Sequence, residues 1–112
     1  MHLPAFLKAL PPIDVPVSED IVSTHALASP DGLGVFFVFH QDFTLPPHHH
    51  KAQWGTVLAG RLELTIDGVT KVYGPGDSYD IPAGAVHGAK ASAGTIAFDV
   101  FEETDRYAIR RG

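Results

Sequence analysis

Three of the chain's seven histidines stand in a row, within Pro46-Pro47-His48-His49-His50-Lys51-Ala52-Gln53. Imidazole is the commonest protein ligand for metals near neutral pH, because its ordinary pKa leaves a nitrogen lone pair free. On an extended chain neighbouring side chains point to opposite faces and residues two apart share one. His48 and His50 then project together and can chelate one ion, while His49 points away as a solvated neighbour. Gln53 follows closely with an amide oxygen. A fourth ligand has to come from elsewhere, and the candidate is His87. It ends the run Gly76-x5-Pro82-x-Gly84-x2-His87, in which glycines and a proline set a sharp turn able to aim one imidazole inward. The chain has no cysteine, so a metal would be held by nitrogen and oxygen, with no disulfide frame behind it.

The elements that must position these groups are strands. Ile21 to Leu27 alternates loosely, and Ser29-Pro30-Asp31-Gly32 carries the residues of a turn. Val35 to Phe39 is apolar on both parities, which predicts a strand covered on both faces, such as an edge strand shared with a second subunit. Trp54 to Leu58 reads as a strand, and Arg61 to Ile66 alternates cleanly, with Leu62, Leu64 and Ile66 inward. Asp67-Gly68 is the pair favoured in type I′ hairpin turns. Further strands are predicted over Val69–Tyr73, Ser78–Ile81 and Thr95–Phe101, then a last one over Arg106–Ile109 before a frayed basic end. Short strands punctuated by Gly and Pro, with almost no helix, predict an all-β sandwich or barrel. Residues 1–20 read as an arm: His2 to Leu10 makes one or two helical turns, stopped by Pro11-Pro12. Residues 21–112 read as one domain, as 112 residues allow.

With the strands in place, the segment from Pro47 to His87 resembles the two motifs of the cupin superfamily, the small single-domain kind. His48-x-His50, two residues, Gln53, six residues, Gly60 resembles the first motif. Gly76 to His87 matches the second at every fixed position. The resemblance implies a jelly-roll β-barrel and one divalent metal held inside it by His48, His50, Gln53 and His87. Two departures stand out. Gln53 replaces the usual acid, and the gap from His50 to Gln53 is one residue short. A shifted register would give His49 the second histidine's place but leave Pro47, which cannot ligate, in the first. A set of three imidazoles and one amide is neutral, so the ion keeps its full charge and is a stronger Lewis acid than one softened by a carboxylate. Such a set also lacks the carboxylate of the facial triad of oxygen-activating iron. Zinc or nickel is therefore favoured, with manganese, iron and copper as alternatives.

The expected function is a metal-dependent enzyme acting on a small organic substrate, a cyclase, isomerase or lyase sooner than a dioxygenase. The alternative is a barrel that binds or senses a small molecule around a structural metal. Tyr79 and Trp54 either line the barrel mouth or belong to core or interface. Asp99 is expected on the outer face, because Ile96, Phe98 and Val100 share the opposite parity; in the lumen it would be a candidate general base. No Ser-His-Asp or Cys-His arrangement is present. A net charge of −5 without a basic run argues against nucleic acid as a partner. No apolar run approaches the roughly 20 residues of a membrane span, and the N-terminus lacks a basic leader, so cytoplasmic residence is expected. The apolar Val35–Phe39 run and the arm together predict a homodimer.

Overall fold

The computed structural model describes residues 1–110; the basic end at 111–112 lies outside them. The period-two patterning becomes strands β1 (Val22–Ser29), β2 (Gly32–Phe39), β3 (Phe43–His48), β4 (Gln53–Ala59), β5 (Leu62–Ile66), β6 (Val69–Tyr73), β7 (Ser78–Ile81), β8 (His87–Ala91) and β9 (Ile96–Phe101). They form two antiparallel sheets, ordered β1-β2-β9-β4-β7 and β3-β8-β5-β6, a jelly-roll barrel. The β5–β6 hairpin turns on Asp67 and Gly68, both at positive φ, as a type I′ turn requires. One helical turn, α1 (Ala5–Lys8), lies in the arm.

The two sheets face each other across a core of side chains from alternate positions. Leu62 and Leu64 of β5 meet Val57, Tyr79 and Ile81, while Leu33 and Val35 of β2 meet Phe101 and Ala26. β2 is not an edge strand, contrary to one reading of its composition: it runs between β1 and β9. Its second apolar parity faces outward, where Phe36 packs on Phe98 at 4.5 Å. That contact leaves both rings half-buried, while Leu27, Trp54 and Val100 on the same face stay exposed.

The segment Arg106–Ile109 does not become a full strand. It folds back instead onto the arm. Ile13 and Ile109 form an antiparallel bridge, supported by Asp14 N–H to the Ala108 carbonyl at 2.7 Å and Arg110 N–H to the Pro12 carbonyl at 2.8 Å. Pro11 and Ile13 are in turn fastened to β1, through its Ala26 N–H and its Thr24 hydroxyl. This two-segment strap brings Val15, Val17, Arg106 and Tyr107 to the barrel cavity.

Candidate metal centre

β3 delivers the first histidines through an irregularity. Leu45 pairs with Ala89 and His48 with His87, so β3 has one residue more than β8 between these rungs, a β-bulge at Pro46-Pro47. Prolines cannot donate to the ladder, and bulges are where strands tolerate them. The extra residue reverses parity. Leu45 lines the cavity, and so does His48 three residues later. Regular alternation would have turned Pro47 and His49 inward, the shifted register in which Pro47 cannot ligate. The bulge is admitted because β8 has Gly88 beside it: a Cβ there would stand 2.9 Å from the Leu45 carbonyl oxygen and 3.2 Å from Pro47 N. His49 is exposed.

The second motif brings up the partner. Pro82 to Ala85 closes a turn by Ala85 N–H to the Pro82 carbonyl, and Gly84 N–H donates to the His50 carbonyl at 2.8 Å. One hydrogen bond therefore ties the two motifs together. His87, opening β8, is buried at 3% exposure. Its ring centroid lies 4.2 Å from that of His48 and 4.7 Å from that of His50. One ligand atom from each of the three imidazoles can be drawn from a set lying within 4.8 Å of one another.

Each of the three rings has Nδ1 against a backbone carbonyl: His48 on Pro46 at 3.1 Å, His50 on Lys51 at 2.7 Å and His87 on Ala85 at 3.0 Å. A carbonyl only accepts, so Nδ1 carries the proton in each and Nε2 keeps its lone pair. The Nε2 atoms of His50 and His87 are buried with no hydrogen-bond partner. Burial holds both imidazoles below the ordinary range, and the neighbouring His48 and Arg106 push the same way. Neutral imidazoles with orphaned, inward lone pairs fit a divalent ion.

Asp99 occupies the lumen, correcting its expected outward position. It is buried at 4% exposure, and its Oδ1 accepts from the Tyr79 hydroxyl at 2.5 Å and from Gln53 Nε2 at 3.1 Å. Burial lifts its carboxyl to about 6 against the pull of those two donors. The Tyr79 phenol is pushed far above its ordinary range by burial and by the adjacent Asp99. Tyr79 thus belongs to the cavity, whereas Trp54 stands on the outer face, 41% exposed. Room for the pair comes from Gly55, since a Cβ there would sit 2.0 Å from Asp99 Oδ1 and 2.4 Å from the Tyr79 ring.

As part of an expected last strand, Arg106 carries no site role in the sequence. It lines the same cavity, its guanidinium 4.8 Å above the Tyr107 ring. Its position after the acidic Glu102-Glu103 gave no signal of a site. The cavity measures about 320 Å³, and Asp99 is the sole carboxylate among its described lining residues.

The comparisons agree with this architecture. A family profile described as "Cupin domain" matches residues 35–101. An RmlC-like cupin from Shewanella frigidimarina superposes with a TM-score of 0.71 at 27% identity, covering 81% of this chain and 82% of that one. KdgF from Halomonas sp. gives a TM-score of 0.69 at 23% identity over 88% and 86%. Mannose-1-phosphate guanylyltransferase from Escherichia coli (strain K12) is 42% identical over 55 residues, 49% of this chain, and the match spans 11% of that enzyme's length. With the profile spanning the paired motifs and the jelly-roll barrel around the three histidines, the chain belongs to the cupin family.

Proposed function

We propose that this protein is a divalent-metal-dependent enzyme acting on a small organic molecule inside the barrel, of the cyclase, isomerase or lyase kind. The observation that carries the reading is the presence of two groups at one cavity: His48 and His87 of the three-imidazole cluster, and the buried Asp99 carboxylate held by Tyr79 and Gln53. A purely structural staple has no use for the second group.

His48, His50 and His87 would hold the ion, with Gln53 as the fourth ligand. Because Asp99 takes the Gln53 amide nitrogen, the amide oxygen is the end left for a metal. Bound there, zinc or nickel would supply Lewis acidity toward a carbonyl or water, undiminished by a carboxylate ligand. Asp99 is the group placed to take or return a proton on the cavity side, and Tyr79 fixes its orientation. The apolar walls exclude water and confine the substrate. A homodimer belongs to the same reading. The outer face of the larger sheet presents Leu27, Trp54 and Val100 at 50%, 41% and 37% exposure, and an apolar patch of this kind suits a second copy. Sedimentation velocity checks this, a monomer at micromolar concentration counting against it.

Elemental analysis of protein purified without a histidine tag tests the centre. One equivalent of metal is expected in the wild type and in His49→Ala, and loss in His87→Ala. Stoichiometric metal retained by His87→Ala would sink the ligand assignment. Cobalt substitution separates enzyme from staple: azide should perturb the visible spectrum if a coordination position is exchangeable, and leave it unchanged if the metal only braces the barrel.

A further inference from the structure

The strand registers sort the cavity lining into two ends. On the β3–β8 ladder the rungs run His48–His87, then Leu45–Ala89, then Phe43–Ala91. On β5 the same order continues, with Leu64 opposite Ala89 and Leu62 opposite Ala91. On the facing sheet Gln53 and Asp99 lie toward the Phe101 end of β9, while Phe37 stands opposite Ala97. Polar groups therefore gather at one end, and the other is closed by Phe37, Phe43, Leu45, Leu62 and Leu64. Among the described lining residues that end offers one hydroxyl, Thr24 opposite Phe37, and it already accepts from the Ile13 N–H.

Arg106 belongs to the polar end: it lines the cavity over Tyr107, whose ring packs against Phe101 with centroids 5.4 Å apart. Among the described residues it makes no ion pair. The carboxylate of Glu103, three residues before it, is turned to the Lys51 N–H at 2.7 Å. Asp99 Oδ1 is taken by Tyr79 and Gln53. The Arg106 Nε is shielded from solvent and has no hydrogen-bond partner. A shielded polar donor is expected to find a partner, and this one has none within the protein. Tyr107 lies against the cation with both its ring and its hydroxyl, and the terminal guanidinium nitrogens, unlike the shielded Nε, are the donors open to an incoming anion. A guanidinium fork matches a carboxylate two bonds at a time.

We propose that Arg106 is the anion-binding group of the cavity, and that its ligand is a small monocarboxylic acid with an apolar, ring-bearing or branched body. The claim rests on the preceding reading that this cavity is the substrate site, and it names the class of substrate. The carboxylate pairs with Arg106 and the body extends toward Phe43 and Leu62. At about 320 Å³ the cavity lies at the small end of ligand sites, roughly 300–1,000 Å³. It accommodates one ring or a short branched chain.

Calorimetric titration of the metal-loaded protein tests this with four probes: phenylacetate, 4-methylpentanoate, phenylacetamide and acetate. The two apolar acids should bind. Phenylacetamide, which keeps the body and loses the charge, and acetate, which keeps the charge and loses the body, should each bind at least about tenfold more weakly. Arg106→Gln should lose about tenfold or more for phenylacetate and none for phenylacetamide, with metal content unchanged; Arg106→Lys should fall between. The wild-type probe series stands even if a variant fails to fold. Equal binding of phenylacetate and phenylacetamide, equal binding of acetate and phenylacetate, wild-type affinity in Arg106→Gln, or no binding of either apolar acid would each overturn the proposal. Metal content measured on the same samples keeps the two readings apart. Full metal without acid binding removes this inference alone, and absent metal removes the enzyme reading.

Discussion

His48 stands directly opposite His87 across the β3–β8 ladder, with ring centroids 4.2 Å apart. Cross-strand partners are the closest side-chain neighbours a sheet offers, so the ladder itself assembles two of the three imidazoles. The third follows because His50 shares the face of His48 past the end of β3.

That arrangement depends on the proline bulge. Deleting Pro47 removes the extra residue and leaves Leu45 and His48 two apart, so both still face inward; metal content should persist. Changing both prolines to valine restores two ladder donors without shortening the strand. The regular register this permits turns His49 inward in place of His48 and His50. Elemental analysis should show reduced occupancy in the double valine variant, and equal occupancy in the two variants would contradict the role given to the bulge.

Asp99 makes the stability of the metal-free protein depend on pH. Its folded pKa is raised from the ordinary 3.8 to about 6, so the folded state binds the proton more tightly than the unfolded one. The associated stability is fully present below the unfolded value and is lost as pH rises through about 6. The gap corresponds to about 3 kcal/mol. Asp99→Asn lacks this titration. Its stability relative to wild type, measured by denaturant unfolding of metal-free samples, should grow between about pH 4 and pH 6.5 and then level off.

Gly55→Ala forces a methyl group into the Asp99 carboxylate and the Tyr79 ring. Both sit on packed strands, so neither can retreat freely, and overpacking of this kind costs about 1–3 kcal/mol. A lowered denaturation midpoint is expected. An unchanged midpoint would mean that the pair is less tightly held than the geometry requires.

The strap at the cavity mouth is held by burial and by backbone hydrogen bonds, not by its ion pair. Ile13 is 2% exposed, and Ile13→Ala should cost about 2–5 kcal/mol. Asp14 and Arg110 are 2.7 Å apart but more than half exposed. Solvent screens such a pair, so Asp14→Asn should leave the unfolding midpoint unchanged within error. Urea titration of the two variants decides the order.

Much of the barrel is legible in the sequence, because Leu62–Ile66, Asp67-Gly68 and Gly76–His87 each speak through a local rule. Alternation, turn chemistry and motif spacing do not depend on distant parts of the chain. Asp99 is illegible for a definite reason. The parity rule assumes that apolar residues mark the inner face, and here Phe98 and Val100 are apolar on the outer face, with Phe98 resting on Phe36. Arg106 is hidden by topology. Only the fold-back pairing of Ile109 with Ile13, 96 residues apart, brings its loop over the cavity. The choice between two histidine registers is settled by Gly88, whose missing side chain lets β3 carry its extra residue.

The hydrogen bond from the Gln53 amide to Asp99 also bears on why an amide stands at position 53. A glutamate there would bring a second carboxylate to within hydrogen-bond reach of the first, and two acids so placed cannot both ionise. Positions 53 and 99 therefore form a complementary couple in which one side must donate and the other accept. Chains of this fold with an acid at the position of Gln53 should carry at the position of Asp99 either a residue that is not acidic or a carboxyl that stays protonated and donates.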